Sequence, residues 1–283
     1  MICKRYTLYL ILLFWLGIFN TSHAIPLSEN VPGGIVIIPL ENKDPTPPIV
    51  TYNKQRVLVV SSNNQWQAIV GIPLATKPGK QRLKIKTRHG QKMSHQFTVR
   101  QKKYKTQSLK VEKGKVELSK ENLERHWKEQ KQIKAALKFW RDNQDIDMRF
   151  IAPTNGKQSD SFGFRRFFND KPRKPHSGMD ISAKTGTPII APAPAMVIET
   201  GDYFFNGKSV FLDHGQGLVT FYGHMNSIDV KKGDVVKRGD KIGTVGATGR
   251  ATGSHLHWGV SLNNARVNPA LFLSDDKTSV KPE

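Results

Sequence analysis

The sequence predicts a mainly β protein: a small N-terminal β-sandwich, a helical connector and a C-terminal β barrel-sandwich. Three textures along the chain predict it. From Ile25 to about Arg100, short runs rich in Val and Ile alternate with turn residues. From about Lys102 the chain becomes lysine-rich and glycine-poor, with apolar residues at helical spacing. After Phe150, glycines and tight turns dominate. A length of 283 residues accommodates two ordinary domains. Hydrophobic residues at 37% and a mean hydropathy of -0.47 argue against both a disordered chain and a multi-span membrane protein.

Residues 1–24 carry Lys4 and Arg5, an apolar run from Leu8 to Phe19, and small residues at Ser22 and Ala24. This is the pattern of a secretory signal peptide cut after Ala24; an uncleaved anchor is the alternative, although the run is short for a membrane span. The sole cysteine, Cys3, precedes the apolar run, so the exported chain has none. Its stability then rests on packing, and histidine and carboxylate are its available metal ligands. The formal net charge is +21. An exported protein this basic suits anionic envelope polymers, such as cell-wall carboxylates or phosphorylated glycolipid, with plain solubility as the other explanation. Nucleic acid would suit the charge too, but no RNA-binding, helix-turn-helix or zinc-finger pattern is present, and export points away from it.

Residues 25–101 read as the sandwich, of immunoglobulin type, with strands around Gly34 to Ile38, Val57 to Val60, Trp66 to Ile72 and Leu83 to Thr87, and a hairpin turn at His89-Gly90. They contain no catalytic cluster, which leaves binding, spacing or shielding as their role. In the connector, residues 102–149, Ser119 caps a helix running to about Asp142. Leu123, Trp127, Ile133, Ala136, Leu137 and Trp140 form a narrow stripe that packs against a domain, and His126 is a solvated helix position. Val116 and Leu118 suggest a short extended piece before the cap.

Residues 150–274 carry the chemistry, and a short tail, 275–283, follows. His176 and Asp180 lie four apart, on the same side of a strand or a helix, and Gly178 with the preceding proline favours strand. Val210 to His224 reads as a hairpin turning at His214 to Gly217, with His214 solvated and His224 at the far end of the second strand. The Gly233-Asp234 and Gly239-Asp240 turns resemble those of biotinyl and lipoyl carrier domains in architecture, without a matching modifiable lysine motif. His255 and His257, one residue apart on a strand, project from one face. His176, Asp180 and one histidine of that pair supply the three protein ligands of a catalytic zinc site with its fourth position left to water. The other histidine of the pair and His224 then stand ready as base and electrophilic donor.

These residues resemble the M23 family of zinc endopeptidases, the lysostaphin and LytM type, whose domain has the duplicated hybrid motif. The likeness rests on His176-x-x-x-Asp180, Tyr222-Gly223-His224 and His255-Leu256-His257, with the lead-in Phe162-Gly163-x-Arg165 and the stretches Gly186 to Ile189 and Gly233 to Gly246. The region beginning Val31-Pro32-Gly33-Gly34 is similar to the N-terminal domain of one branch. The resemblance implies one zinc per chain on His176, Asp180 and His257, with His255 as catalytic base and His224 opposing the oxyanion. It also implies hydrolysis of peptidoglycan cross-links in the periplasm of a Gram-negative bacterium, at the bond between D-alanine and meso-diaminopimelate. Arg165 is a candidate for a substrate carboxylate, or a brace for the fold, and Asp202 or Asp213 could orient a histidine, turn capping being the plainer role. Other classes are a non-catalytic wall-binding activator of another hydrolase, a glycine-bridge endopeptidase, a cytoplasmic phosphoryl carrier and a basic structural protein.

Overall fold

The computed structural model describes residues 25–41, 44–111, 118–143 and 145–274. The expected signal segment with Cys3, the position Val116 and the tail 275–283 lie outside the described residues. No helix among the described residues is long and apolar enough to cross a membrane.

The N-terminal unit holds β1 (Ile35–Pro39), β2 (Ile49–Tyr52), β3 (Gln55–Arg56), β4 (Leu58–Ser62), β5 (Gln65–Gly71), β6 (Gly79–Lys86) and β7 (Lys92–Val99). They form two antiparallel sheets, β1-β5-β4 and β3-β2-β6-β7. In β6 the inward Leu83 and Ile85 alternate with exposed Lys84 and Lys86, the period of a half-buried strand. The run Val57 to Val60 does not alternate, because its sheet is covered on both faces. Val57 and Val59 pack with Val36, Val70 and Leu83 inside the sandwich. Leu58 and Val60 join Ile35 and Ile69 in the core of the C-terminal unit.

The connector contains β8 (Thr106–Leu109) and α1 (Lys120–Leu137). The Ser119 side chain accepts from Asn122 N–H at 3.2 Å, satisfying an otherwise orphaned helix donor. Only the C-terminal half of the expected stripe packs: Ile133 and Ala136 lie with Ile198, Phe211 and Phe221. Leu123 is 42% and Trp127 59% exposed. At that end polar contacts replace apolar ones, since buried Glu129 accepts from Phe204 N–H at 2.9 Å and from Arg125 at 2.6 Å. The helix stops at Leu137, so Trp140 lies beyond it, beneath the Arg56 guanidinium. His126 is half-buried, edge-on to Phe205, and not the solvated position expected.

Then follow β9 (Lys157–Gln158), β10 (Arg165–Phe168), β11 (Lys171–Pro172), β12 (Met179–Ser182), β13 (Pro188–Ile190), β14 (Ala195–Tyr203), β15 (Gly207–Gly215), β16 (Leu218–Ile228), β17 (Val235–Val236), β18 (Lys241–Val245), β19 (His255–Leu262) and β20 (Ala265–Val267), with a 3-10 turn at Pro269–Phe272. The main sheet runs β17-β14-β15-β16-β19-β12-β9. Its mainly β character is as expected of a barrel-sandwich, and the sheet stays open, with no closed barrel among the described residues. The cause lies in β16. Leu218 to Gly223 pair with β19, whereas Met225 to Ile228 pair with β18, and His224 between them has φ +61. The strand is handed from one neighbour to another at that kink, so the sheet folds without closing. Separately, β8 pairs in parallel with β10, Arg165 opposite Thr106 and Phe168 opposite Leu109. The connector is therefore part strand.

Two side-chain amides join the units. Asn263, in the β19–β20 turn, accepts from Gly71 N–H at 2.6 Å and donates to Gly71 O at 3.0 Å. Gln216, in the β15–β16 turn, does the same to Val59, at 3.0 and 3.1 Å. Each amide imitates a neighbouring strand and satisfies a backbone pair that the buried interface would otherwise strand without water. Replacing Asn263 by Gly, which keeps the turn's positive φ, removes both bonds. Urea unfolding is expected to show a loss of about 2 kcal/mol.

Candidate functional site

Strand register builds the site. Across β12 and β19, Asp180 stands opposite His257 and Ser182 opposite His255; across β16 and β19, Gly223 stands opposite His257. Asp180 and His257 therefore point to the same face as direct cross-strand neighbours. His176 lies ahead of β12 in an irregular loop, not on the strand the spacing favoured. Its backbone N–H donates to Phe164 O, and its carbonyl accepts from Gly163 N–H. The loop crosses His257 closely enough that a Cβ on Gly178 would come within 2.7 Å of that ring and 2.6 Å of Trp258 O, which explains a glycine there.

Three donor atoms converge. His257 Nδ1 is 2.8 Å from Asp180 Oδ1, His176 Nε2 is 3.1 Å from the same oxygen, and the two ring nitrogens are 3.0 Å apart. Tetrahedral zinc with bonds of about 2.0–2.1 Å spaces its ligands by roughly 3.3 Å, so this triangle needs to open only by tenths of an ångström to hold one. The protonation pattern fits as well. His176 Nδ1 lies 3.0 Å from the Ser161 carbonyl and 2.9 Å from its hydroxyl, so it carries the proton and leaves Nε2 as a lone pair. His257 presents Nδ1–H to Asp180, and that proton has only to move to Nε2 for three lone pairs to face one cation. Burial, reinforced by the nearby His176 and Arg166, lowers the His257 pKa to about 4 despite Asp180. Burial alone would raise the Asp180 carboxyl, but hydrogen bonds from His176 and His257 outweigh it and hold the group well below the carboxylate range.

His255 and His224 stand beside this triangle. His255 Nε2 is 3.9 Å from Asp180 Oδ1, outside the converging set, and its Nδ1 donates to Gly253 O at 2.8 Å. The His224 ring centre is 4.8 Å from that of His255 and 6.0 Å from that of His257. His224 Nδ1 donates to Thr248 O at 2.8 Å, and burial, then the nearby His257 and His255, lowers its pKa to about 3. The His224 imidazole therefore rests neutral with Nε2 unprotonated, and His255, like it, has its Nδ1 turned to a backbone carbonyl.

The arginine at the site is Arg166. Its Nη2 donates to Asp180 Oδ2 at 3.1 Å and its Nε to Gln107 Oε1 of β8 at 3.1 Å. Arg165 is exposed and donates to Thr106 Oγ1 at 3.0 Å. Adjacent strand residues face opposite ways, so the period-two rule allowed only one of the pair to reach inward. Asp213 caps its turn through Gly215 N–H and pairs with Arg141 at 2.7 Å; Asp202 is exposed.

His214 corrects the expectation of a solvated turn residue. It sits within β15, 2% exposed, donating from Nδ1 to Pro194 O at 3.0 Å with Nε2 2.9 Å from Thr220 Oγ1, against the Phe150 ring. The turn itself is only Gln216 and Gly217. Burial pushes the His214 pKa down to about 4.

Residues 174–269 match the model of peptidase family M23, and residues 28–102 that of the peptidase family M23 N-terminal domain. The crystal structure of an M23 peptidase candidate from Pseudomonas aeruginosa is 42% identical, with a TM-score of 0.75, over 87% of this chain and 96% of that one. Among curated proteins, peptidoglycan DD-endopeptidase ShyC of Vibrio cholerae is 42% identical over 48% of this chain, and ShyA of the same organism 36% identical over 46%. These matches span only 28% and 26% of those two relatives.

The folded His214 pKa lies below the unfolded value of about 6.5, so the unfolded chain binds the extra proton between the two. Its contribution is complete above pH ~6.5 and is lost as pH falls toward ~4, by roughly 1.4 kcal/mol per pH unit. Denaturant titrations across that window are expected to show a slope shallower by one proton in His214→Gln than in the parent.

Proposed function

The chain belongs to peptidase family M23, and on that premise we propose that it is a zinc-dependent endopeptidase cutting the D-alanine to meso-diaminopimelate bond in peptidoglycan cross-links. The observation that carries this proposal is the convergence of His176 Nε2, His257 Nδ1 and Asp180 Oδ1 beside the imidazoles of His255 and His224. The names of ShyA and ShyC support the bond specificity. Peptidoglycan is the partner, and export to a Gram-negative periplasm follows from the signal-like first 24 residues and from that substrate. The +21 charge suits a carboxylate-bearing polymer. Presence of all five histidine and aspartate positions favours catalysis over a binding-only activator.

His176, His257 and Asp180 hold the ion, which supplies Lewis acidity toward a water and the amide carbonyl. The residues do the rest. Arg166 holds Asp180 Oδ2, leaving Oδ1 turned toward the histidines. Gly253 O fixes the His255 ring with Nε2 unprotonated, so that atom takes the proton of the attacking water. Thr248 O fixes His224 likewise. Resting neutral with its proton on Nδ1, His224 opposes charge on the tetrahedral oxygen only as the other tautomer, with that proton moved from the Thr248 O side to Nε2. The His255 imidazole, protonated by the water, then passes that proton to the leaving amine.

Zinc-loaded protein is expected to convert cross-linked dimers of diaminopimelate-type sacculi into monomers, read by mass spectrometry of muropeptides; unchanged dimers with one bound zinc per chain would overturn the assignment. The two strand histidines separate by metal content. His257→Ala is expected to lose zinc, whereas His255→Ala keeps one zinc per chain and loses turnover by at least about a hundredfold. Equal zinc loss in both variants would reverse their roles.

A further inference from the structure

A second surface, on the sandwich, carries chemistry of its own. Between Asp44 and Glu112 the sequence contains no acidic residue, against fourteen lysines and arginines. Strand β6 orders the densest part of that excess. Its inward Leu83 and Ile85 lie in the sandwich core, so Lys80, Arg82, Lys84 and Lys86, at every second position, share the outer face. Four cations therefore stand in one row about 7 Å apart. The neighbouring strands do not oppose them. On β7 they face Thr98, Gln96, Ser94 and Lys92 in turn, and on β2 Lys84 faces Thr51 and Lys86 faces Ile49. None of these five cations makes an ion pair among the described residues. At the β3 edge of the sheet Arg56 meets Asp142 at 3.0 Å.

The other sheet of the sandwich, β1-β5-β4, is the one that packs on the C-terminal unit, through Ile35, Leu58, Val60 and Ile69. The basic face lies one sheet further out, about 10 Å across the sandwich core, and points away from the unit that bears the histidines. Its chemistry selects among anions. No aromatic ring stands among these outward residues, so the face lacks the platform on which a sugar or a base stacks. Four of the five cations are lysines, point charges on flexible stems, whereas recognition of one fixed carboxylate favours the arginine fork. Ile49, 48% exposed, and the lysine stems give the charges an apolar bed. A row of mobile cations on an open sheet face matches a partner that is itself extended, negative and laterally mobile, which is the character of anionic lipid headgroups.

We propose that the outer β2-β6-β7 face of the sandwich docks on a membrane surface rich in anionic phospholipid, through Lys80, Arg82, Lys84, Lys86 and Lys92. The attachment is electrostatic and interfacial. Docked this way, the sandwich acts as a spacer that holds the histidine-bearing unit off the lipid. The inference does not depend on the endopeptidase proposal and is tested without turnover.

The test sediments the full chain with vesicles of phosphatidylcholine alone or mixed with phosphatidylglycerol. The ratio of the two affinities is the readout, so any insertion of the apolar run 8–19 cancels. Each basic residue at an anionic surface contributes roughly fivefold, so the parent is expected to favour the mixed vesicles by about a hundredfold or more, and to lose most of that preference in high salt. The combined variant Lys80→Gln, Arg82→Gln, Lys84→Gln, Lys86→Gln is expected to reduce the ratio by about a hundredfold. The combined variant Lys120→Gln, Lys128→Gln, Lys131→Gln, Lys134→Gln removes the same charge from exposed positions on α1 and is expected to keep the ratio within severalfold. An equal fall in both variants overturns the proposal, because net charge alone would then account for binding. A parent without preference for the mixed vesicles overturns it too. Loss of binding to purified sacculi in the β6 variant, with its vesicle preference intact, also overturns it and assigns the face to wall carboxylates. A footprint on the parent needs no variant: mixed vesicles are expected to shield Lys80, Lys84, Lys86 and Lys92 from amine acetylation and to leave the α1 lysines reactive. Shielding of the α1 lysines in place of the β6 row overturns the docking face.

Discussion

The pairing of Asp180 with His257 across β12 and β19 is the contact on which the site depends. A slip of one residue in that register would turn every side chain of one strand to the other face, taking the carboxylate from its imidazole. The register is held from below by the core: Met179, Ile181, Leu256, Trp258 and Val260 are all buried, on the face opposite the polar residues. Burial of the apolar residues and placement of the polar residues that alternate with them are one event. Gly178 then leaves room beside the His257 ring by permitting the His176 loop to cross it.

A second layer of contacts sets the flanking groups, and it comes largely from outside the main sheet. The connector helix grips the β14–β15 turn through Glu129 and Arg125, and that turn holds the backbone of His224 through Asn206. The connector strand touches Arg166 through Gln107, and Arg166 touches Asp180. Both routes are continuous chains of hydrogen bonds from a segment whose sequence carries no motif. The N-terminal sandwich adds its own hold at Gln216 and Asn263, which belong to the turns at one end of β16 and β19, the strands that carry the histidines.

Much of this was legible in the sequence because side-chain periodicity and turn chemistry are local. The alternation in β6, the Ser119 cap and the shared face of His255 and His257 all follow from spacing. The double positive-φ turns at Asn53-Lys54, Asn63-Asn64, Asn169-Asp170 and Asn263-Asn264 use the residue type that tolerates that conformation. What spacing left open was settled by partners distant in the chain. His214 looked like a turn residue because Gly215 and Gly217 flank a short turn, yet its carbonyl partner Pro194 and the Phe150 ring lie far away in sequence. The choice between Arg165 and Arg166 depended on which face of β10 meets Asp180, and β8 gave no sign of strand at all, being polar and four residues long. Leu123 and Trp127 show the converse, a helical apolar pattern with polar contacts where the packing was expected.

The parallel pairing of β8 with β10 also decides where this chain can be divided. A catalytic fragment begun at the helix, or just before Phe150, would leave β10 as an open sheet edge next to the histidines. Its unpaired N–H and C=O groups would invite another chain to add a strand there. Such a fragment would differ from the whole in two ways at once, freed from the sandwich and prone to self-association at the very lip of the site. A cut ahead of Tyr104 keeps the borrowed strand, and with it the native closure of that edge.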